Sequence, residues 1–188
     1  QEIAEATDTP DDVVFEMAQG AAFAGQALGR SILGTDASIA PATQETLADW
    51  RAALYAPETL IFSASGAVTE DEVLKLAERD FGGALGKPIT DPAPGVFTGG
   101  TQTASKSLEQ ANLVFLLPAV GVRHDDYFAL RLFAEILGGG MASRLFQEAR
   151  EKRGLAYAVD AYSETYADTG VLGVFAGCAA KDAAELAK

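Results

Sequence analysis

The chain has 188 residues, room for one domain or two small ones, and its 48% hydrophobic and 22% charged content is that of a folded globular protein rather than a disordered one. A formal net charge of -13 argues against a nucleic-acid partner, which needs Lys and Arg clustered against phosphate, and no apolar run approaches the roughly 18 residues that span a bilayer. The charge is uneven: residues 1–95 hold 16 acids and 5 bases, residues 96–188 hold 11 and 9.

The opening Gln1-Glu2-Ile3-Ala4-Glu5 is acidic where a signal peptide is basic, so the expectation is a soluble protein with no membrane contact, cytoplasmic rather than periplasmic. Thr9-Pro10-Asp11-Asp12 then reads as a helix start, with a capping threonine, proline at the first helical position and acids in the first turn, running to about Phe23. Gly25 to Gly34 is a loop and Ala37 to Ala42 a connector. Thr43 caps a helix with Leu47, Trp50, Leu54 and Tyr55 on one face, ended by Pro57. Thr59 to Ser65 reads as a short buried strand. Thr69-x-x-Glu72 is a capping box ahead of Val73, Leu76, Ala77 and Phe81, and Gly82-Gly83 closes that helix.

Residues 86–100 hold three prolines and four glycines without an apolar period and read as a linker, dividing the chain into 1–85 and 101–188. Ala111 to Leu117 is a strand ended by Pro118, and Asp125-Asp126 opens a helix carrying Phe128, Leu132, Phe133, Ile136 and Leu137. Gly138-Gly139-Gly140 turn into an amphipathic helix with Met141, Leu145 and Ala149 on one face, flanked by Phe146 and stopped by Gly154. Ala156 to Ser163 and Val171 to Cys178 form a hairpin around Asp168-Thr169-Gly170. Lys181 to Lys188 begins a further helix.

Complete catalytic machinery is not legible in these residues. The one histidine, His124, lies beside Asp125 and Asp126 in no known metal-ligand spacing, and it reads as an exposed residue leading a helix. It is also the only base available to a serine or cysteine triad. The single cysteine, Cys178, sits in an apolar alternation and reads as a buried small hydrophobe. The three glycines before a helix could cradle an anion, but no lysine or strand motif accompanies them, so a conformational role is expected. On residues alone this is a soluble α+β protein of two segments.

The run from Gly138 to Tyr157, Gly-Gly-Gly-Met-Ala-Ser-Arg-Leu-Phe-Gln-Glu-Ala-Arg-Glu-Lys-Arg-Gly-Leu-Ala-Tyr, closely resembles the pitrilysin/insulinase family of zinc peptidases, in the branch of the mitochondrial processing peptidases. The resemblance extends through Gln1-Glu2-Ile3, Asp8 to Phe15, Leu28 to Gly34 and Tyr55 to Gly66, nearly the whole chain. It implies parts of two tandem processing-peptidase-like α+β domains, with mixed or antiparallel sheets and helices on one face. Residues 1–85 would be the later part of the first, zinc-site domain, and 101–188 the earlier part of the second, substrate-facing domain.

Members of that family carry an inverted zinc motif, His-x-x-Glu-His, and a further glutamate ligand downstream. The motif is absent here, and Glu2 falls where the downstream glutamate is expected. Arg150 and Tyr157 match a substrate-facing arginine and tyrosine of the second domain. A guanidinium can hold a peptide carbonyl, and a phenol can donate to an oxygen gathering charge. The resemblance therefore implies a piece of a zinc endopeptidase acting on peptides or unfolded polypeptides, inactive alone and not retaining zinc, whose parent is a homodimer or one of paired subunits. Two rivals stay open: a non-catalytic subunit of the same family, and an unrelated α+β interaction module in which Arg150 is a helix-end cation and Tyr157 a sheet residue.

Overall fold

Three antiparallel strands organise the larger part of the chain in the computed structural model, which describes residues 1–56, 59–83 and 93–188. They are β1 (Gln110–Ala119), β2 (Ala158–Thr165) and β3 (Gly170–Ala179), in the order β1-β3-β2. The expected hairpin is present as β2 and β3, with Tyr162 opposite Gly173 and the turn closed by Tyr166 N donating to Thr169 O at 2.8 Å. Pro118 does not end β1 but continues the pairing, opposite Val171. On an edge strand a missing N–H costs a ladder bond only where it faces the neighbouring strand.

The expected α+β architecture is present, and both faces of the central strand meet helices. Helices α1 (Glu2–Asp8) and α2 (Pro10–Ala22) precede the sheet, and Phe15 of α2 stacks on Phe175 at 5.2 Å and meets Tyr162 at 5.8 Å. Helix α6 (Tyr127–Gly138) meets Ala161, the neighbour of Tyr162. Successive side chains of a strand point to opposite faces, so α2 lies on one face and α6 on the other. The run Gly-Val-Leu-Gly-Val-Phe-Ala-Gly-Cys-Ala of β3 is apolar at nearly every position, and a strand apolar on both sides requires cover on both.

On the α2 face, Phe23 is fully buried with Ala22 and Val171, and it makes edge-to-face contacts with Phe97 and Tyr166. Part of the expected linker is fastened here. Thr98 N donates to Ala22 O at 2.8 Å, and the Gln26 side-chain amide exchanges two bonds with the backbone of Val96, at 2.7 and 2.8 Å. Residues 86–92 of that linker lie outside the described residues. Thr9 sits at the expected cap of α2, yet its hydroxyl donates back to Glu5 O, since α1 runs directly into it.

Packing groups residues 1–35 with 94–188 into this one unit, a different partition from the linear division at 86–100, and residues 36–93 form a second unit. The second unit holds α3 (Asp36–Ile39), where a connector was expected, with α4 (Gln44–Leu54) and α5 (Glu70–Phe81). Both expected caps are made: Thr43 reciprocates with Thr46, and Thr69 with Glu72. The strand expected at residues 59–65 is not one. Phe62 packs on Phe81 instead, at 5.0 Å, and no strand of this unit is available to pair with it among the described residues. Pro57 lies outside them.

Candidate functional site

The approach to the site begins where α6 ends. None of Gly138, Gly139 and Gly140 has a positive φ, so they do not serve as a left-handed turn. Gly138 is required for closeness: a Cβ there would lie 2.1 Å from Ala161 N in β2. The chain turns through Ser143 N donating to Gly140 O at 2.9 Å, and helical structure starts at Arg144.

That helix widens. Residues Phe146–Lys152 form a π-helix in place of the α-helix expected, with Arg153 N reaching back to Glu148 O at 3.2 Å. It ends with Gly154 N on Arg150 O at 3.1 Å and Leu155 N on Ala149 O at 2.9 Å, and Gly154 has φ 62°. This is the bond pair of a Schellman ending, each bond spanning one residue more than it does after an α-helix. Such widened turns are rare and occur frequently at functional sites.

Leu145, Phe146 and Ala149 pack against Ala156, Val159 and Ala176, on the same face of the sheet as α6. Met141, expected with them, precedes the helix and is 75% exposed. Arg150 is exposed, and its guanidinium carbon lies 4.6 Å from the centre of the Phe146 ring, within cation–π range. Its neighbours differ: Lys152 pairs with Glu148 at 2.5 Å and Arg153 pairs with Glu185. Among the described residues Arg150 has no carboxylate partner, so of these three cations it alone has no N–H donor committed to a carboxylate. The contact of Arg150 with the Phe146 ring was not read from the sequence, although the spacing of four was visible.

Tyr157 follows the Gly154 turn. Its backbone N–H donates to Gly177 O of β3 at 2.8 Å, which anchors it at the start of β2, and its side chain is 57% exposed. Arg150 and Tyr157 thus flank one turn, both presented to solvent.

Glu2 belongs elsewhere. It lies exposed in the first turn of α1, the helix that packs with α2, whose sheet face is opposite to the one carrying the π-helix. No group of three His, Cys, Asp or Glu that could hold a metal exists among the described residues, and one carboxylate does not make a zinc site. These residues therefore do not fit zinc by themselves. His124 is exposed, its Nδ1 accepting from Asp126 N at 3.1 Å. Cys178 is buried, and burial first, then the Asp182 charge, pushes its thiol above the ordinary value, so it is not an activated nucleophile. A groove of about 710 Å³ between α2, β1 and residues 97–106, lined by Val13, Met17, Leu113 and Phe115 among others, holds none of the three site residues.

The chain belongs to the peptidase M16 family: residues 41–188 match the model of the peptidase M16 inactive domain. It is 37% identical over 180 residues to an uncharacterized zinc protease of Rickettsia bellii, covering 95% of this chain and 44% of that one. A zinc protease of Bacillus subtilis, also uncharacterized, is 33% identical over 190 residues, covering 100% and 46%. The crystal structure of a peptidase M16 inactive domain from Pseudomonas fluorescens has the same fold, with a TM-score of 0.80 at 22% identity over 95% of this chain and 44% of that one. The chain spans about half the length of the curated relatives it matches. No helix among the described residues is long and apolar enough to cross a membrane.

Proposed function

We propose that this chain is the substrate-facing part of a zinc-dependent endopeptidase, of the processing-peptidase-like branch, that hydrolyses peptides or unfolded polypeptides. Arg150 and Tyr157 contact the substrate. The observation that carries this reading is the difference among the three cations of one helix end: Lys152 and Arg153 are spent on carboxylates, while Arg150 commits no donor to a carboxylate and lies beside an exposed, backbone-anchored tyrosine. The guanidinium holds a peptide carbonyl of the bound chain, and the Tyr157 hydroxyl donates to the oxygen on which negative charge builds. Membership of the family and the zinc-protease names of relatives support a peptidase parent.

Hydrolysis in this reading needs zinc ligands beyond the described residues, with Glu2 as one of the set, so the 188-residue chain alone is inactive. The division into a zinc-site segment 1–85, a linker and a substrate-facing segment 101–188 belongs to the same proposal, as does assembly of the parent as a homodimer or paired subunits. The test is made in the full-length protein that holds this chain. Arg150→Ala and Tyr157→Phe each lower kcat/KM on an unfolded polypeptide by about 100-fold, the scale of removing one donor to a developing oxyanion, with bound zinc unchanged. Unchanged kinetics in both variants reject these roles. Absence of zinc and of turnover in the full-length protein favours the non-catalytic subunit.

A further inference from the structure

We propose that Phe146 is a positioning residue for Arg150: its ring holds the guanidinium in place without using the N–H donors that a substrate carbonyl needs. The proposal rests on the assignment of Arg150 as a substrate contact. Three cations follow one another on this helix end, and each has a different tether. Lys152 is held by Glu148, four residues before it, and Arg153 by Glu185 from the C-terminal helix Ala183–Leu186. Arg150 also has a partner four residues before it, but that partner is a phenyl ring at 4.6 Å.

The two kinds of tether have opposite consequences. A carboxylate takes N–H donors directly, often in pairs, and neutralises the charge. A ring attracts the cation through its face and leaves the donors and the charge available. A free arginine on an exposed helix samples many rotamers, and ordering it on substrate binding costs conformational entropy. A ring beneath it removes part of that cost beforehand.

Phe146 is itself fixed. It packs, half-buried, on the cluster of Ala156, Val159 and Ala176, so the ring is a rigid seat. The π-helix is continuous from Phe146 to Lys152, and both members of the pair lie within it. The widening also explains why the ending at Gly154 spans an extra residue before Tyr157 enters β2. Seat, cation and phenol are therefore set by one local backbone feature.

The experiment has two arms. In the 188-residue chain, the Arg150 Nε–H resonance carries an upfield ring-current shift in the wild type and in Phe146→Tyr, and loses it in Phe146→Leu. In the full-length protein, Phe146→Leu lowers kcat/KM about tenfold, chiefly through KM and with the melting temperature held near that of the wild type, Phe146→Tyr restores it, and Phe146→Leu adds nothing to Arg150→Ala. Equal losses in Phe146→Leu and Phe146→Tyr, a full further loss in the Arg150→Ala background, or no ring-current shift overturn the positioning role. If Arg150→Ala costs about 100-fold while Phe146→Leu costs nothing, the positioning role alone fails. If Arg150→Ala costs nothing, the substrate role fails and takes the positioning role with it.

Discussion

The unit containing the sheet and the unit of residues 36–93 make their hydrogen bonds in different ways, and the difference explains what each needs. Helices α4 and α5 satisfy their backbone internally and close their first turns with Thr43–Thr46 and Thr69–Glu72. Their large apolar residues nevertheless remain in contact with solvent: Leu47 is 63% exposed and Trp50 62%. The sheet unit is the reverse. Its strands depend on one another for every ladder bond, and its interior holds Phe23, Val171 and Cys178 fully buried. Helix formation is a local property, whereas a strand exists only where a partner is supplied.

Truncating one aromatic residue in each unit gives the sharpest contrast. Phe23→Ala removes a ring packed against Phe97 and Tyr166 and is expected to cost about 3–5 kcal/mol in urea unfolding. Trp50→Ala removes a larger ring from an exposed helix face and is expected to stay within about 0.5 kcal/mol. Comparable losses at both positions would remove the distinction between the units.

Glycine gives the same contrast at smaller scale. A methyl at Gly138 would press on Ala161 N, so Gly138→Ala forces α6 away from β2, at about 1–3 kcal/mol of overpacking. A methyl at Gly83, after α5, meets nothing within 4 Å and should leave urea stability unchanged. A neutral Gly138→Ala would mean that the α6–β2 contact is looser than its geometry.

These contrasts also account for what could be read in advance. The Thr69-x-x-Glu72 box, the Pro10 helix start and the β2–β3 turn are signals whose physics is complete within a few residues, and each is present. Residues 59–65 have strand composition, but composition supplies no partner, and their own unit holds no strand among the described residues. Pro118 looked like a terminus because the edge position that tolerates it is a fact of topology. At the site, Arg150 and Tyr157 were found through family resemblance, and their roles are still a proposal. Seven residues apart, they could be placed; the steps of four from Phe146 to Arg150 and from Glu148 to Lys152 were visible too, but Glu185 under Arg153 comes from a distant part of the chain. The π-helix leaves no composition signal, since it is the packing of Phe146 and Ala149 against Val159 that accompanies the wider turn.

The smallest effect tests whether α5 depends on its own cap. Thr69 Oγ1 accepts from Glu72 N, while the Glu72 carboxylate accepts from Thr69 N at 2.9 Å and from its hydroxyl at 2.8 Å. The backbone bond first, then the hydroxyl bond, hold the Glu72 carboxyl below its ordinary value of 4.5. A carboxylate lowered in the folded state contributes its stability above the unfolded value, and that contribution is lost as pH falls through the folded value. Thr69→Ala also removes the hydroxyl that accepts from Glu72 N, and loss of such an N-cap costs about 1 kcal/mol. The loss, followed by far-ultraviolet circular dichroism during thermal unfolding, should shrink modestly as pH falls below 4.5, since acid weakens the hydroxyl bond to the carboxylate that the variant lacks, while the backbone N–H of residue 69 donates to Glu72 in both proteins. Glu72→Gln, which cannot ionise, should show a flatter pH response than Thr69→Ala, which keeps the backbone bond to the carboxylate. A difference between wild type and Thr69→Ala that stays constant through the acid range would mean that the box does not couple to ionisation, and that α5 is held by contacts beyond its own first turn.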